Sequence, residues 1–304
     1  MNRKNSVARR VTTIAGPFLN AATRLFRYSD GLTVFLFHEV TERPSEFLKS
    51  TGMWVSGEVF QHQLNWIKKN FQVIPITHLT SNKKLPRNAA IITFDDSWEG
   101  MVDAIEKYLL PSETPACLFL NFGAIVDGVD ISAAERFLSF QNTNSDFKPY
   151  EILPAINCLP KNKYKTFLKF QGDIVKIESI HKLAENPNIT ISNHSFHHFD
   201  SSRMNDTEFI DNYVQNNKWV RQFSENGGEN FFAFPFGTPE VNFESKHIQM
   251  LSQKGVKFCF SGTGRRLGKY KSLPQLIPRV HFSPADHSRG NIWWACYKNQ
   301  ILKR

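Results

Sequence analysis

Ile91-Ile92-Thr93-Phe94-Asp95-Asp96-Ser97-Trp98 is the stretch on which the fold turns. An apolar, β-prone run that starts at Ala89 ends abruptly in two adjacent carboxylates. The length and composition of this run predict a strand buried on both faces, as in a parallel sheet. α/β folds place their chemistry at the carboxyl ends of such strands. Alternation along a strand would send Asp95 and Asp96 to opposite sides. Two carboxylates this close repel, so the pair calls for a metal, an arginine or a raised pKa.

Working outward, Leu32 to Phe37 reads as another buried strand, ending at His38-Glu39. Phe60, Leu64, Ile67 and Phe71 then fall at helical spacing, and Val73-Ile74-Pro75-Ile76 reads as a short strand at an edge. After the aspartates, Trp98, Val102, Ile105 and Leu109 mark a helical stripe closed by Pro111, followed by the strand Ala116 to Leu120. This βαβαβ order implies parallel strands and right-handed crossovers. From 123 to 188 the rhythm is lost, over a length too great for a bare loop. A helical insertion across one end of the sheet is expected there, with signals at 133–140 and 164–170. The strand pattern resumes at Ile189 to Ser192 and runs into Asn193-His194-Ser195-Phe196-His197-His198. A helix marked by Phe209, Tyr213, Val220 and Phe223 leads to the strand Phe231 to Phe234, then Pro235-Phe236-Gly237. A helix over 245–253 and strands over 256–260 and 276–282 complete the core.

With 304 residues, 41% hydrophobic and 21% charged, the chain can bury a full core in one large domain or two small ones. The 27 phenylalanines suit large packed cores or sugar-stacking surfaces. A net charge of +9 points to an acidic partner, glycan or membrane surface, and no basic-plus-aromatic repeat marks a nucleic-acid module. Cys117, Cys158, Cys259 and Cys296 form no CxxC pair, so they read as buried thiols of a reducing compartment rather than a zinc site. Residues 1–30 are basic and read as a separate, retained segment that touches a membrane surface rather than a cleaved leader, the alternative being a frayed helix packed on the domain. That reading places the chain in the cytoplasm or at a membrane, with secretion left open. Residues 31–304, including the 123–188 insertion, are expected to form the main domain.

The carboxylates and the histidines follow strands at the same expected end. Two histidines and one carboxylate are a common ligand set for a divalent cation. His194 and His198, four apart, converge on one ion if the segment turns like a helix. A second carboxylate beside such an ion can act as a general base.

These motifs resemble those of the polysaccharide deacetylases, the NodB-type carbohydrate esterases. Thr93-Phe94-Asp95-Asp96-Ser97 looks like the family's TFDD motif, and His194-Ser195-Phe196-His197-His198 matches its H-[S/T]-x-x-H motif in the right order. Phe232 to Gly237 is similar to the aromatic-Pro-aromatic-Gly groove motif. Leu36-Phe37-His38-Glu39-Val40 and Leu276-Ile277-Pro278-Arg279-Val280 resemble the first and a late strand of one branch.

The resemblance implies a distorted (β/α)7-type barrel and metal-dependent removal of acetyl groups from an amino-sugar glycan or its precursor, an N-acetylated polysaccharide or oligosaccharide, to which the net charge adds the expectation of acidic character. It assigns Asp96, His194 and His198 to a divalent metal (zinc first, then cobalt or nickel) and Asp95 to the base that activates water. A backbone N–H after the Phe-Pro-Phe segment is expected to help hold the oxyanion. The arginine that opens the third motif in many members is Ala233 here. Arg279 is its expected replacement, although Asp286 or Glu240 are alternative partners for it. The L-x-H motif that carries the general acid is absent, leaving His281 or His38 for that role. Trp98, Phe234, Pro235, Phe236 and His38 are candidates for substrate contact, with Trp98, Phe234 and Phe236 equally readable as core. His197 is out of phase with the ligand pair. The alternatives are a C–N hydrolase acting on a non-sugar amide and an inactive glycan-binding module of the same fold.

Overall fold

The computed structural model describes residues 31–81, 83–141, 147–267, 272–286 and 288–301. The 1–30 segment, with the leader and membrane-contact expectations attached to it, lies outside these residues. Ten strands follow in order: β1 (Gly31–Phe37), β2 (Glu39–Val40), β3 (Trp54–Val55), β4 (Gln72–Val73), β5 (Asn88–Asp95), β6 (Ala116–Leu120), β7 (Ile189–Asn193), β8 (Phe231–Ala233), β9 (Phe258–Ser261) and β10 (Leu276–His281). β1 pairs in parallel with β5 on one edge and β10 on the other, so β1 and β5 to β10 close into a seven-stranded parallel barrel. This is the expected (β/α)7 architecture.

The barrel strands alternate between a mostly apolar interior and an apolar layer under the helices, with polar exceptions inside such as Thr190, Ser192 and Arg279. Leu32, Val34, Ala89, Ile91, Cys117, Phe119, Phe231, Ala233, Phe260 and Ile277 fill the interior. Phe35, Phe37, Ala90, Ile92, Phe94, Leu118 and Leu120 point outward, under helices such as Gly57–Asn70. Both faces are covered, which is why the strands read as continuous apolar runs. Phe94 is fully buried, and Phe94→Ala would cost about 3–5 kcal/mol in lost burial and cavity formation.

Two elements differ from the sequence reading. The strand expected at 73–76 is only Gln72–Val73, which occupies β5 opposite Ala89 and Ala90 before β6 takes over that edge at Thr93. Pro75 has no N–H for a ladder, and the chain turns at once into the short helix Ile76–Leu79. The helices Glu46–Thr51 and Arg289–Ile301 had no expectation attached. Among the cysteines Cys158 is exposed, against the expectation of burial, while Cys117, Cys259 and Cys296 are buried and all four are free.

The insertion is helical as expected: Phe122–Asp127, Ile131–Phe140, Pro149–Asn157, Lys161–Gln171 and Ile177–Ala184 stand between β6 and β7. Its Phe137, Ile152 and Phe167 pack in one cluster with Phe47, Trp98 and Phe234. Val175 N–H donates to Ser97 O (2.8 Å), tying the insertion to the turn after β5. The insertion therefore lies over the carboxyl end of the barrel, where Asp95 is.

Candidate metal centre

Asp95 is the last residue of β5 and continues its inward set, Ala89, Ile91 and Thr93. Strict alternation would turn Asp96 outward, but Asp96 has φ 68° and the chain folds back on itself. Both carboxylates consequently face His194: its Nε2 lies 3.6 Å from Asp95 Oδ2 and 3.4 Å from Asp96 Oδ1. The opposite-sides expectation fails because a left-handed residue interrupts the pleat. Aspartate tolerates that region better than most residues, at a cost of order 1–3 kcal/mol.

The histidine segment is likewise not the helical turn expected from its spacing. Ser195 (φ 68°) and His198 (φ 52°) are left-handed, and the loop between them is irregular. Buried irregular backbone needs partners, and three asparagines provide them. Asn212 Oδ1 accepts from Ser195 Oγ (2.9 Å), Phe196 N (2.9 Å) and His197 N (3.0 Å). Asn193 Oδ1 accepts from Ser195 N and from Asn216 Nδ2, both at 2.9 Å. Asn216 Oδ1 in turn accepts from Phe122 N (2.8 Å) and its Nδ2 donates to Leu120 O (2.7 Å), anchoring the loop to the end of β6 and the start of the insertion. His197 points to Asp127 (3.4 Å), away from the ligand pair.

Held this way, the two outer histidines converge. His194 Nδ1 lies 2.8 Å from Ala233 O, and only an N–H can make that bond, so in the neutral ring Nε2 carries the lone pair. His198 Nδ1 is 2.8 Å from Ser132 Oγ, and its Nε2 is 3.1 Å from Asp96 Oδ1. Asp96 Oδ2 accepts from the Trp98 indole N–H (3.1 Å), while buried Oδ1 has no hydrogen bond. One ligand atom each from Asp96, His194 and His198 lie within 4.8 Å of one another, the one such group among the described residues. Burial would raise Asp96, but His198 and His194 hold it below the usual carboxylate range. Burial pushes His198 down to about 4, against the pull of Asp96, leaving it neutral near pH 7. Burial also opposes charge on His194, but Asp95 and Asp96 raise it on balance, inviting positive charge at Nε2. An orphaned carboxylate oxygen facing two imidazole nitrogens fits a divalent cation.

Asp95 is clasped by Arg279: Nη1 donates to Oδ1 (2.5 Å) and Nη2 to Oδ2 (2.6 Å). Arg279 projects from β10 into the barrel, 1% exposed, and its Nε also donates to Ser261 O (3.3 Å). Its alternative partner Asp286 instead accepts from Ser283 N and Oγ, both at 2.8 Å. Burial alone would raise Asp95, but Arg279 and then His194 outweigh it and hold it low, as an anion.

The remaining candidates divide. His38 and His281 stand edge to face, ring centres 5.3 Å apart, beyond β1 and at the end of β10. His38 Nδ1 is buried without a hydrogen bond, and burial lowers its pKa against the pull of Asp96 and Asp95. Trp98 and Phe234 are each 1% exposed and Pro235 is buried. Phe234 stacks on Phe243 at 3.7 Å, so Trp98, Phe234 and Pro235 support the site from the core and offer no face to a ligand. Phe236 is 42% exposed, left-handed at φ 60°, and 5.1 Å from the His198 ring. Gly237 N–H donates to Pro235 O (2.6 Å) and is not free for an oxyanion.

Sequence reasoning missed Ser132 and Asp130, which come from the insertion. Asp130 caps the helix Ile131–Phe140 by accepting from Ala133 N (2.8 Å), and its carboxylate lies 4.0 Å from His198 Nδ1. Burial, aided by Asp96, pushes its pKa up to about 7. The aspartate before a helical run is a capping signal, but nothing local announces its partner 68 residues away. Phe47, Thr51, Met53, Asp96, Ser132, Arg136, His198 and Phe236 line a cavity of about 220 Å³ beside the triad.

Comparison with known proteins agrees with this geometry. The profile of the family described as polysaccharide deacetylase matches residues 82–259, more than half of the chain. No curated protein matches the chain. Among solved structures, the Streptococcus pyogenes deacetylase PplD in complex with acetate superposes with TM-score 0.62 at 10% identity, over 88% of this chain and 98% of that one. IcaB from Ammonifex degensii gives 0.60 at 14% identity, over 88% and 97%. The de-N-acetylase from Aggregatibacter actinomycetemcomitans gives 0.58 at 14%, over 87% and 99%. Structural likeness at these identities speaks for the fold, and the profile match speaks for descent: the chain belongs to the polysaccharide deacetylase family, hydrolases of non-peptide carbon–nitrogen bonds.

Proposed function

We propose that the protein hydrolyses N-acetyl groups of an amino-sugar glycan or its precursor, using a divalent cation held by Asp96, His194 and His198. The observation that carries this reading is the convergence of Asp96 Oδ1 and two imidazole Nε2 atoms beside a carboxylate fixed by Arg279. Two histidines and a carboxylate suit zinc, with cobalt or nickel as alternatives. When bound, such an ion supplies Lewis acidity, lowering the pKa of a water and polarising the acetyl carbonyl.

Asp95 is the general base. Its Oδ2, the oxygen nearer His194, takes the proton of the attacking water, and Arg279 fixes the carboxylate's direction. As the C–N bond breaks, acetate and a free amine leave, and the amine nitrogen needs a proton. His38, buried close enough to Asp95 and Asp96 to feel both charges and with His281 edge-on to its ring, passes to the amine the proton that Asp95 took from water. Phe236 offers the exposed aromatic face on which a sugar ring can stack. The inactive-module alternative drew its support from Ala233 in place of an arginine, and the Arg279 clasp removes that support.

The test is acetate release from N-acetyl sugar oligomers by protein stripped with chelator and reloaded with zinc, cobalt or nickel. Release that depends on metal and disappears in Asp95→Asn supports the reading. No release by any metal form across a broad glycan panel would sink it, and release from non-sugar amides alone would favour the amide hydrolase.

A further inference from the structure

The insertion contributes more than a cover. Its helix Ile131–Phe140 presents Ser132 to His198, and four residues on, one helical turn away, Arg136 lines the same cavity as Asp96, His198 and Phe236. Glu135, also on the cavity, is engaged by Arg203 Nη1 at 2.6 Å. Arg136 is exposed, forms no ion pair among the described residues, and lies over the Phe140 ring at 5.8 Å. Among the described residues, Arg136 is therefore the one cation on a cavity wall that also carries Asp96, Asp130 and Glu135, and it has no ion pair there. An arginine so placed presents a planar fork of donors suited to a carboxylate, phosphate or sulfate.

We infer that Arg136 is a specificity residue that selects N-acetylated glycans bearing an anionic group on or next to the acetamido sugar. This inference rests on the deacetylase reading for its substrate, but not for its charge preference. The sugar sits on Phe236 with its acetamido group toward Asp95, and the anionic group meets Arg136. The chain's net charge of +9 acts in the same direction at longer range.

The experiment compares a chitin tetramer with a tetrasaccharide alternating N-acetylglucosamine and glucuronate. Each is tested for acetate release by the metal-loaded enzyme and for calorimetric binding to metal-loaded Asp95→Asn protein. Wild type should favour the acidic oligomer. Arg136→Gln should lower kcat/KM and affinity for that oligomer about tenfold, leaving the neutral one within about twofold. Arg136→Lys, which keeps charge but not the fork, should fall between, and added salt should shrink the preference. Equal handling of both oligomers by wild type, or an equal loss on both in Arg136→Gln, overturns the inference. Binding that prefers the acidic oligomer through Arg136 without any acetate release would instead overturn the deacetylase reading and leave this one standing.

Discussion

Replacing Arg279 by methionine tests the site at its most buried point. The change keeps an unbranched side chain of similar reach and removes the charge. In the wild type, Asp95 receives two charge-assisted bonds at 2.5 and 2.6 Å, with both residues nearly inaccessible to water. Removing one partner of a buried pair typically costs about 3–5 kcal/mol, because the other charge is left uncompensated. The sign of the pH dependence follows from the pKa directions. Wild-type Asp95 is held low, so the pair's stabilisation is complete above the unfolded carboxylate value of about 3.9 and is lost as pH falls through the lower folded value. Without Arg279, burial becomes the dominant influence and the folded pKa rises above the unfolded one. The deficit of Arg279→Met should then be largest at pH 8 and shrink toward pH 5 as Asp95 takes up a proton. Adding Asp95→Asn should recover part of the loss, since the stranded charge is gone. Urea midpoints of the wild type, Arg279→Met, Asp95→Asn and the double variant at pH 5 to 8 measure all of this. A deficit under about 1 kcal/mol, or one equal at both pH limits, would refute the claim that Arg279 neutralises the buried Asp95 carboxylate.

Three further outcomes follow from the geometry. Zinc at a hundredfold excess over its dissociation constant should stabilise the wild type by about 2.7 kcal/mol in thermal melts, and Asp96→Asn should abolish most of that gain. Asn212→Ala removes the acceptor of three donors in the histidine loop, so unfolding free energy should fall by about 2–3 kcal/mol and zinc affinity about tenfold; Asn212→Asp, which keeps the acceptor, should lose much less in both titrations. His38→Gln should lower kcat by about a hundredfold or more and flatten the alkaline limb of the pH–rate profile, with KM little changed, and an equal effect from His281→Gln alone would reassign the acid.

The barrel was legible because its strands are covered on both sides. Runs such as Leu32 to Phe37 and Ala89 to Phe94 have no polar face to disguise them, and the helical insertion betrayed itself by the loss of that rhythm. Boundaries slipped where local chemistry cuts a strand short, as Pro75 does after β4. The helix Glu46–Thr51 escaped because it is a single turn and a half, too short for periodicity to register. Of the site, the ligand residue types and their order were legible, whereas Ser132 and Asp130 were not, since their partner His198 lies far along the chain.

What the sequence concealed most completely was how the ligands are aimed. A pleat would have parted Asp95 from Asp96, and a helical turn was the obvious way to join His194 to His198. The protein uses neither, placing Asp96, Ser195, His198 and Phe236 in the left-handed region. Each of these lies in one of the three motif loops, and each redirects a side chain that regular structure would have sent elsewhere. None is glycine, so each placement costs free energy that the surroundings must supply. The Trp98 indole on Asp96 and the Asn212 amide on the Ser195 hydroxyl and the Phe196 and His197 backbone are the visible sources. Both supports are formed by residues more than one position away from the strained one, on neighbouring turns or helices. Local propensity therefore cannot reveal them, and the candidate metal centre is a property of the closed barrel rather than of any one motif.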